Sequence, residues 1–338
     1  MTDPSKDDGD STDFGWVDPD EFDRDTTDAV DRDTTDTVDR DTTNRGDPTG
    51  TGGAGDSPAT DGYGSVPATD DVGDPSSPWH VPDSPVRAIG VAIGLGTLGI
   101  ALVLVFSLVV SGIGTAIGGL SIAVSLGLSL LLGQYVAFGG LALGYLLYRG
   151  FDRSGIVSYL GVRWPSLKEI GLVVGGWALI LVMVMVISIV LQLLGPEPAA
   201  NQSAEIAMQN PAIIPLLVAA SFLVIGPAEE VLYRGIVQSR LRESFSAAPA
   251  IAIASAIFAA VHVIALTGGI EGRLTTIAVL FFPSLVFGAV YEYTENIVVP
   301  ALLHGLHNAV IFTMLYVVVA YGDEIEELAE AGAMLLPF

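Results

Sequence analysis

The sequence predicts an all-α fold: a polytopic transmembrane helical bundle of about seven spans with a disordered acidic N-terminal tail. Three observations lead to this prediction. The mean hydropathy of the 338 residues is +0.57, although the formal net charge is −24. Residues 1–84 carry 23 acidic and 5 basic side chains, whereas residues 85–338 carry 15 and 9. No charged residue occurs from Ala88 to Tyr148. The chain therefore divides into two parts of different class, 1–84 and 85–338.

Residues 1–84 have the composition of a disordered segment. "DRDTTDAV" (23–30) recurs as "DRDTTDTV" (31–38), with a period of eight residues that is too short for a solenoid repeat. Asp, Gly, Pro, Ser and Thr dominate, so the segment cannot bury enough apolar surface to offset the entropy of ordering. The first apolar run begins near residue 88, and we therefore expect no signal peptide.

The cysteine and lysine contents of the chain are both unusually low. The chain has no Cys, which excludes disulfides, thiolate zinc sites, iron–sulfur clusters and a cysteine nucleophile. It has only two Lys, against twelve Arg. An Asp-rich, Lys-poor composition resembles that of proteins from halophilic archaea. The alternative is an ordinary acidic tail on a membrane protein.

Long apolar segments predict the spans in order. The uncharged stretch at 88–148 is long enough for two helices of about 20 residues each, with a turn in "SGIGTAIGGLS" (111–121). Further spans are predicted near 169–195, 211–243, 247–266, 273–292 and 297–321. These segments lack the alternation of barrel strands. The acidic stretch "DEIEELAE" (323–330) is predicted to be an external or interfacial helix, and Glu292 is predicted to be a solvated loop charge.

Basic residues in the short loops predict the orientation. The 149–168 loop carries Arg149, Arg153, Arg163 and Lys168, and two more arginines precede the 244–247 turn. Seven alternating spans place both regions on one side, which the positive-inside rule makes cytoplasmic. We therefore expect a multi-pass protein of the cell (plasma) membrane with a cytoplasmic N-terminus and an external C-terminus.

Polar side chains that are energetically costly to place in a bilayer are concentrated in the second half of the predicted bundle. A charge at the centre of a bilayer costs about 2.5–3.5 kcal/mol on insertion scales, so such residues are rare unless they face a protein interior or a wet cavity. Seven polar groups nevertheless occur within 80 residues of apolar sequence. They are Glu229, Glu230, Arg234, His262, His304, His307 and Asn308. This concentration predicts a functional site.

Helical spacing assigns roles to the first group, in "IGPAEEVLYRGI" (225–236). Glu230 and Arg234 are four residues apart, so they share a helix face and are predicted to form a structural ion pair. Glu229 lies about 100° around the helix from Glu230 and is left to serve a cavity. Pro227 is expected to open or kink the helix, because its missing N–H leaves a carbonyl unpaired.

The number of residues between each polar group and the nearest predicted turn gives its expected depth in the membrane. Glu229 lies about 16 residues before a turn near Phe245, and His262 lies about 16 after it, so both are expected at one level. His304 lies only about 8 residues past a turn near Asn296 and is expected nearer the membrane surface. The depths agree only if the Arg-rich end of the first helix protrudes into the cytoplasm.

Three motifs resemble those of a known family. "EEVLYR" (229–234) fits EExxxR, "FAAVH" (258–262) fits FxxxH, and "HGLHN" (304–308) fits HxxxN. Their order on successive apolar segments, within about 211–312, resembles the CPBP intramembrane proteases, which include the type II CAAX prenyl endopeptidases. The resemblance implies that Glu229 and His262 activate a water for attack on a peptide carbonyl. It also implies that His304 and Asn308 bind that water or stabilise the oxyanion.

The resemblance leaves metal dependence open. Members of the family are often called metalloproteases, and Glu229, His262 and His304 could form a two-His, one-carboxylate zinc site. A metal-free glutamate mechanism explains the same residues and also gives a role to Asn308, a poor zinc ligand. We favour the metal-free mechanism, with no cofactor.

The expected function is therefore hydrolysis of a peptide bond in a membrane-associated substrate, including a prenylated CAAX-type substrate. The expected partners are membrane lipid and a membrane-associated peptide or protein, not nucleic acid. The first alternative is a non-catalytic membrane scaffold or an immunity-type binding protein. A transporter or proton relay ranks last, because residues 88–148 carry no ionisable acid or base within the membrane.

Overall fold

The computed structural model describes residues 84–195 and 197–334, which form helices and short connections. Within this part of the chain the only extended pairing is an isolated antiparallel bridge between Asn201 and Leu266. The helices are α1 (Pro85–Ala116), α2 (Ile122–Tyr148), α3 (Arg153–Leu160), α4 (Leu167–Leu194), α5 (Gln202–Gln209), α6 (Pro211–Arg242), α7 (Ala247–Ala265), α8 (Ile270–Thr294) and α9 (Val298–Met334). The predicted tail lies outside the described residues, except for Ser84.

Seven of the described helices are long and apolar enough to cross a membrane: α1, α2, α4, α6, α7, α8 and α9. The predicted fold class is therefore confirmed. The spans differ from the prediction at their ends. Helix α1 continues to Ala116, and the turn follows at Gly118 and Gly119, whose φ angles of 86° and 115° favour glycine. Helix α9 runs on through the acidic stretch to Met334, so that stretch is not a separate helix.

Helix α3 orders the connection between α2 and α4, which the sequence left as a loop. The Asp152 carboxylate caps α3 by accepting from the Gly155 N–H at 2.7 Å. Bonds from Gly155 N–H and the Ser154 hydroxyl lower the pKa of Asp152 below its ordinary value. The helix ends at Gly161, where φ is 64° and an added Cβ would lie 1.8 Å from the Glu295 carbonyl oxygen. Only glycine permits this close approach between α3 and the α8–α9 turn.

Ion pairs join the charged ends of three spans. Arg149, after α2, pairs with Glu243, after α6, at 3.0 Å. Arg242 of α6 pairs with Glu292 of α8 at 2.7 Å. The expectation that Glu292 is a solvated loop charge was therefore wrong, because α8 runs on to Thr294 and the Glu292 carboxylate pairs with Arg242 of α6. These contacts bring the ends of α2, α6 and α8 together at one end of the bundle.

Helices α6 and α7 lie at the centre of the fold. In the most apolar 18-residue stretch of α6 and in that of α7, 39% is buried inside the protein, against 6% in the corresponding stretch of α4. Leu232 and Ile236 of α6 are fully buried among residues of α1, α2 and α7. A second apolar cluster joins α4, α8 and α9 and includes Phe287. The polar residues of α6 thus lie where protein, and not lipid, surrounds them.

Candidate active site

Helix α6 is irregular on both sides of its two glutamates. Its hydrogen bonding is π-helical at Ser221–Ile225 and again at Val231–Gln238. Between these segments, Pro227 has no N–H to donate to the Leu223 carbonyl four residues earlier. The Tyr135 hydroxyl of α2 donates to that carbonyl instead. Pro227 itself lies in the α-helical turn Gly226–Glu230, and α2 supplies a donor for the carbonyl that Pro227 cannot bond.

Two glycines let α6 and α9 pack backbone against backbone. A Cβ at Gly226 would lie 2.6 Å from the Ala301 carbonyl oxygen and 3.1 Å from the Gly305 nitrogen. A Cβ at Gly305 would lie 2.8 Å from the Phe222 ring. Small residues at helix contacts permit such close approach within membranes. This packing brings the glutamates of α6 beside the histidine that precedes Gly305.

Glu230 forms the buried centre of the site. It is fully buried and pairs with Arg234, whose exposure is 1%, at an Oε1–Nη1 distance of 2.9 Å. Arg234 Nη2 also donates to the hydroxyl and the carbonyl of Ser284, at 2.7 and 3.1 Å. The Nδ1 of His304 lies 2.8 Å from the same Glu230 oxygen. Because a carboxylate can only accept, this nitrogen carries a proton. Glu230 therefore holds both Arg234 and His304.

Two aromatic rings connect Arg234 to the histidines. The guanidinium lies over the Phe258 ring at 4.5 Å and over the Phe287 ring at 5.3 Å, within the range of cation–π attraction. Phe287 stacks on His304 with centroids 4.9 Å apart, and Phe258 contacts His262 at 4.6 Å. The Phe of FxxxH thus touches both its own histidine and the arginine of EExxxR.

Glu229 points away from Arg234, as its position around the helix requires. Its exposure is 7%, and its Oε1 accepts from Gln134 Nε2 of α2 at 3.0 Å. Its other oxygen, Oε2, is buried without a hydrogen-bond partner among the described residues. That oxygen lies 3.9 Å from His304 Nε2. One carboxylate oxygen is therefore fixed, and the other faces an imidazole across a gap.

His262 is half-buried at the end of the regular part of α7, where the helix tightens into a 3-10 turn. Its Nδ1 lies 2.7 Å from the Phe258 carbonyl oxygen. A carbonyl can only accept, so Nδ1 donates and the neutral ring keeps a lone pair on Nε2. His262 therefore presents a basic nitrogen on the side away from its own helix. Its link to the other polar groups runs through the Phe258 ring.

Asn308 lies one turn after His304 on α9 and is half-buried. No hydrogen bond joins its side chain to the other candidate residues within the described part of the chain. His307 lies beside Phe287, at a centroid distance of 6.3 Å, and its buried Nδ1 has no partner there. The structure thus brings Glu229, Glu230 and His304 into one polar cluster, and among the described residues no hydrogen bond joins His262 or Asn308 to it.

The expected difference in depth between Glu229 and His304 does not occur, because the two side chains approach within 3.9 Å. The final turns of α6 are partly covered by protein: Arg240 is only 4% exposed, and Leu160 of α3 packs against Gly235. In the Arg-rich end, Arg240 is therefore buried, whereas the Arg242 side chain is 39% exposed.

The candidate zinc ligands do not form a metal site as they stand. Among the described residues, no group of three or more His, Asp or Glu side chains has the spacing to hold a metal ion. Glu229 Oε2 and His304 Nε2 lie 3.9 Å apart, but among the described residues no third His, Asp or Glu completes a metal-binding group with them. The donor set therefore does not fit a three-ligand zinc centre, and we derive no step through a metal.

Sequence reasoning missed three residues of this cluster. Gln134 was overlooked on α2, although a lone amide in the uncharged stretch 88–148 is a signal that could have found it. Ser284 and Phe287 on α8 gave no such signal, because serine and phenylalanine are ordinary in membrane helices. Their roles follow only from the packing of α8 against α6 and α9.

Comparison with known proteins bears on residues 211–310, which match the family model described as "Rce1-like: Type II CAAX prenyl endopeptidase Rce1-like". Neither curated proteins nor solved structures give a significant match. The matched segment contains all three motifs and the whole polar cluster except Gln134. Residues 211–310 are therefore similar to the Rce1-like type II CAAX prenyl endopeptidases.

Proposed function

We propose that this protein hydrolyses a peptide bond of a membrane-associated substrate with a water activated by Glu229 and His262. The observation that supports this most is the state of the Glu229 carboxylate. It is buried, one oxygen is fixed by Gln134, and the other has no hydrogen-bond partner in the described part of the chain and faces His304 Nε2 at 3.9 Å. A buried acceptor without a partner is costly unless a ligand or water uses it. A positioned carboxylate of this kind is suited to general-base catalysis.

The proposed reaction uses the two acceptor atoms of the site that are left for a water, Glu229 Oε2 and His262 Nε2. Glu229 Oε2 takes a proton from the water while the water oxygen attacks the substrate carbonyl carbon. The lone pair on His262 Nε2 provides a second acceptor for the water. The carbon–nitrogen bond then breaks, and the proton held by Glu229 passes to the leaving amine. The products are a carboxylate and a shorter peptide with a free amino group.

His304 and Asn308 are proposed to bind the water or the oxyanion. The bond from His304 Nδ1 to Glu230 fixes the ring, so that Nε2 faces the Glu229 side of the site, where in the neutral ring it accepts from the water and in the doubly protonated ring it donates to the oxyanion. The Asn308 amide, one turn further along α9, supplies N–H donors. Preorganised donors in a water-poor site stabilise a developing oxyanion strongly, and removal of one typically costs about 10²–10³ in turnover.

The proposed substrate is a peptide with a prenylated cysteine near its C-terminus, the CAAX type named in the family description. We further propose that the end of the bundle bearing Arg149 and Arg242 faces the cytoplasm, as the positive-inside rule predicts. In the plasma membrane, the lipid anchor would then hold the peptide at the inner surface of the bilayer. Comparing the membrane proteome of wild-type cells with that of Glu229→Ala cells would name the natural substrate.

The test uses the full chain in proteoliposomes with a farnesylated CAAX peptide. We expect release of the three C-terminal residues, and loss of that release in His262→Ala and Asn308→Ala. Asn201→Ala is the matched control, because Asn201 caps α5 outside the cluster by accepting from the Ser203 N–H at 2.8 Å. Unchanged turnover in the folded His262→Ala protein would reject the assignment. A wild-type protein that binds the peptide without cleaving it would indicate a binding protein.

A further inference from the structure

Helix α2 lies outside the family-matched segment and nevertheless contacts the site at two consecutive residues. Gln134 Nε2 donates to Glu229 Oε1 at 3.0 Å. Tyr135 donates its hydroxyl to the Leu223 carbonyl, which Pro227 leaves without a helical donor. One contact fixes the backbone of α6 just before the glutamates, and the other reaches the carboxylate itself.

We propose that Gln134 is a positioning residue for Glu229, orienting the carboxylate so that Oε2 faces the water site. This proposal rests on the proposed function, because it deepens the role of Glu229 as general base. It places part of the site on a helix that carries none of the three motifs.

The chemistry of the contact fixes its direction. A carboxylate can only accept, so the amide must present its NH₂ group to Glu229. The terminal torsion of a glutamate side chain is broad and roughly two-fold, so an unheld carboxylate samples many orientations. A bond to Oε1 removes that freedom and leaves Oε2 on the side of His304, 3.9 Å from Nε2.

Packing alone does not account for Gln134. Its amide oxygen Oε1 is buried with no hydrogen-bond partner among the described residues. A methionine would fill nearly the same volume without this unpaired oxygen, and removal of a buried unsatisfied acceptor favours folding. The amide therefore serves the bond to Glu229. It lies in the π-helical stretch Leu131–Gly139 of α2, a local geometry that is frequent at functional sites.

The test compares Gln134→Met with Gln238→Met in the full chain, assayed on the farnesylated CAAX peptide. Gln238 is a matched control: it is 1% exposed, donates to the Gly288 carbonyl at 3.1 Å, and also has an unpaired amide oxygen. We expect Gln134→Met to lower kcat about tenfold to hundredfold, because small misplacements of a catalytic group have effects of this size. KM should stay within about twofold, and Gln238→Met should keep the wild-type kcat.

A second measurement does not depend on turnover. The infrared difference spectrum between wild type and Glu229→Gln isolates the stretches of the Glu229 carboxylate. We expect these bands to shift in Gln134→Met and to stay in place in Gln238→Met. If Gln134→Met does not fold, Gln134→Asn keeps a polar amide but is one methylene too short, and the same loss of kcat is expected.

The outcomes separate this inference from the proposed function. If Glu229→Gln is inactive while Gln134→Met keeps the wild-type kcat and carboxylate bands, the positioning role is wrong and the function stands. If folded Glu229→Gln turns over as fast as wild type, the proposed function fails, and the inference fails with it. A uniform rise in KM at unchanged kcat would also overturn the positioning role, because it would indicate a contribution to substrate binding.

Discussion

Replacement of Arg234 by methionine is expected to be among the most destabilising single changes in the bundle. The side chain is 1% exposed and pairs with the fully buried Glu230 at 2.9 Å. Its removal leaves the Glu230 charge buried without its cation, and breaking such a pair typically costs about 3–5 kcal/mol. The lost cation–π contacts with Phe258 and Phe287 act in the same direction.

The free energy of unfolding can be measured by titrating the protein from mild micelles into a denaturing detergent. Arg163→Met is the matched control, because Arg163 pairs with Glu169 at 2.6 Å but its side chain is 52% exposed. Glu169 is only 8% exposed, but water reaches the Arg163 end of this pair, so the pair is expected to contribute less than one that is buried at both ends. We therefore expect Arg234→Met to lose several times more stability than Arg163→Met.

The double variant Glu230→Leu with Arg234→Met separates stability from activity. Replacement of a whole buried ion pair by apolar residues is often neutral, so we expect most of the stability to return. Turnover should not return, because His304 Nδ1 loses the acceptor that holds it at 2.8 Å. The reasoning is refuted if Arg234→Met costs no more than Arg163→Met, or if the double variant cleaves peptide at the wild-type rate.

Three further predictions follow from the packing, the donor set and the capping of the fold. Gly226→Ala should lower the free energy of unfolding by about 1–3 kcal/mol, because the added Cβ is overpacked against the Ala301 carbonyl. Gly112→Ala is the control and should have no such effect, because nothing lies within 4 Å of its added Cβ. Equal effects of the two variants would contradict the close contact between α6 and α9. Chelation should leave peptide cleavage intact, and loss of cleavage that zinc restores would contradict the metal-free mechanism. The cap of α3 should be fully present above the ordinary pKa of an aspartate, about 3.9, and should be lost as pH falls through the lowered pKa of Asp152. Hydrogen exchange of the α3 amides measures this, and α3 protection that is unchanged at the lowest pH would contradict it.

Contacts within one helix could be predicted from the sequence, because helical spacing decides which residues share a face. The four-residue spacing of Glu230 and Arg234 predicted a contact that the structure has at 2.9 Å. Phe258 and His262 have the same four-residue spacing, and their rings lie 4.6 Å apart. The missing N–H of Pro227 predicted an unpaired carbonyl on α6 for the same local reason.

Contacts between helices could not be predicted in this way. The bond from Gln134 to Glu229 depends on how α2 is rotated about its axis relative to α6. The segment that forms α2 is almost wholly apolar, so its sequence has no polar and apolar periodicity that would define this rotation. The close approach of Gly226 and Gly305 depends on the crossing of α6 and α9. Counting residues from the turns gave different depths for Glu229 and His304 unless the end of α6 protruded, and it could not show that the two side chains approach within 3.9 Å.

The most direct test of hydrolysis by a glutamate-activated water is the single-turnover cleavage of a farnesylated CAAX peptide by Glu229→Gln. This variant keeps the shape of the side chain and its place beside Gln134, but it has no basic oxygen. We predict that it folds and binds the peptide, and that it cleaves the peptide about 10²–10⁴-fold more slowly than wild type. Cleavage at the wild-type rate by the folded variant would contradict the account.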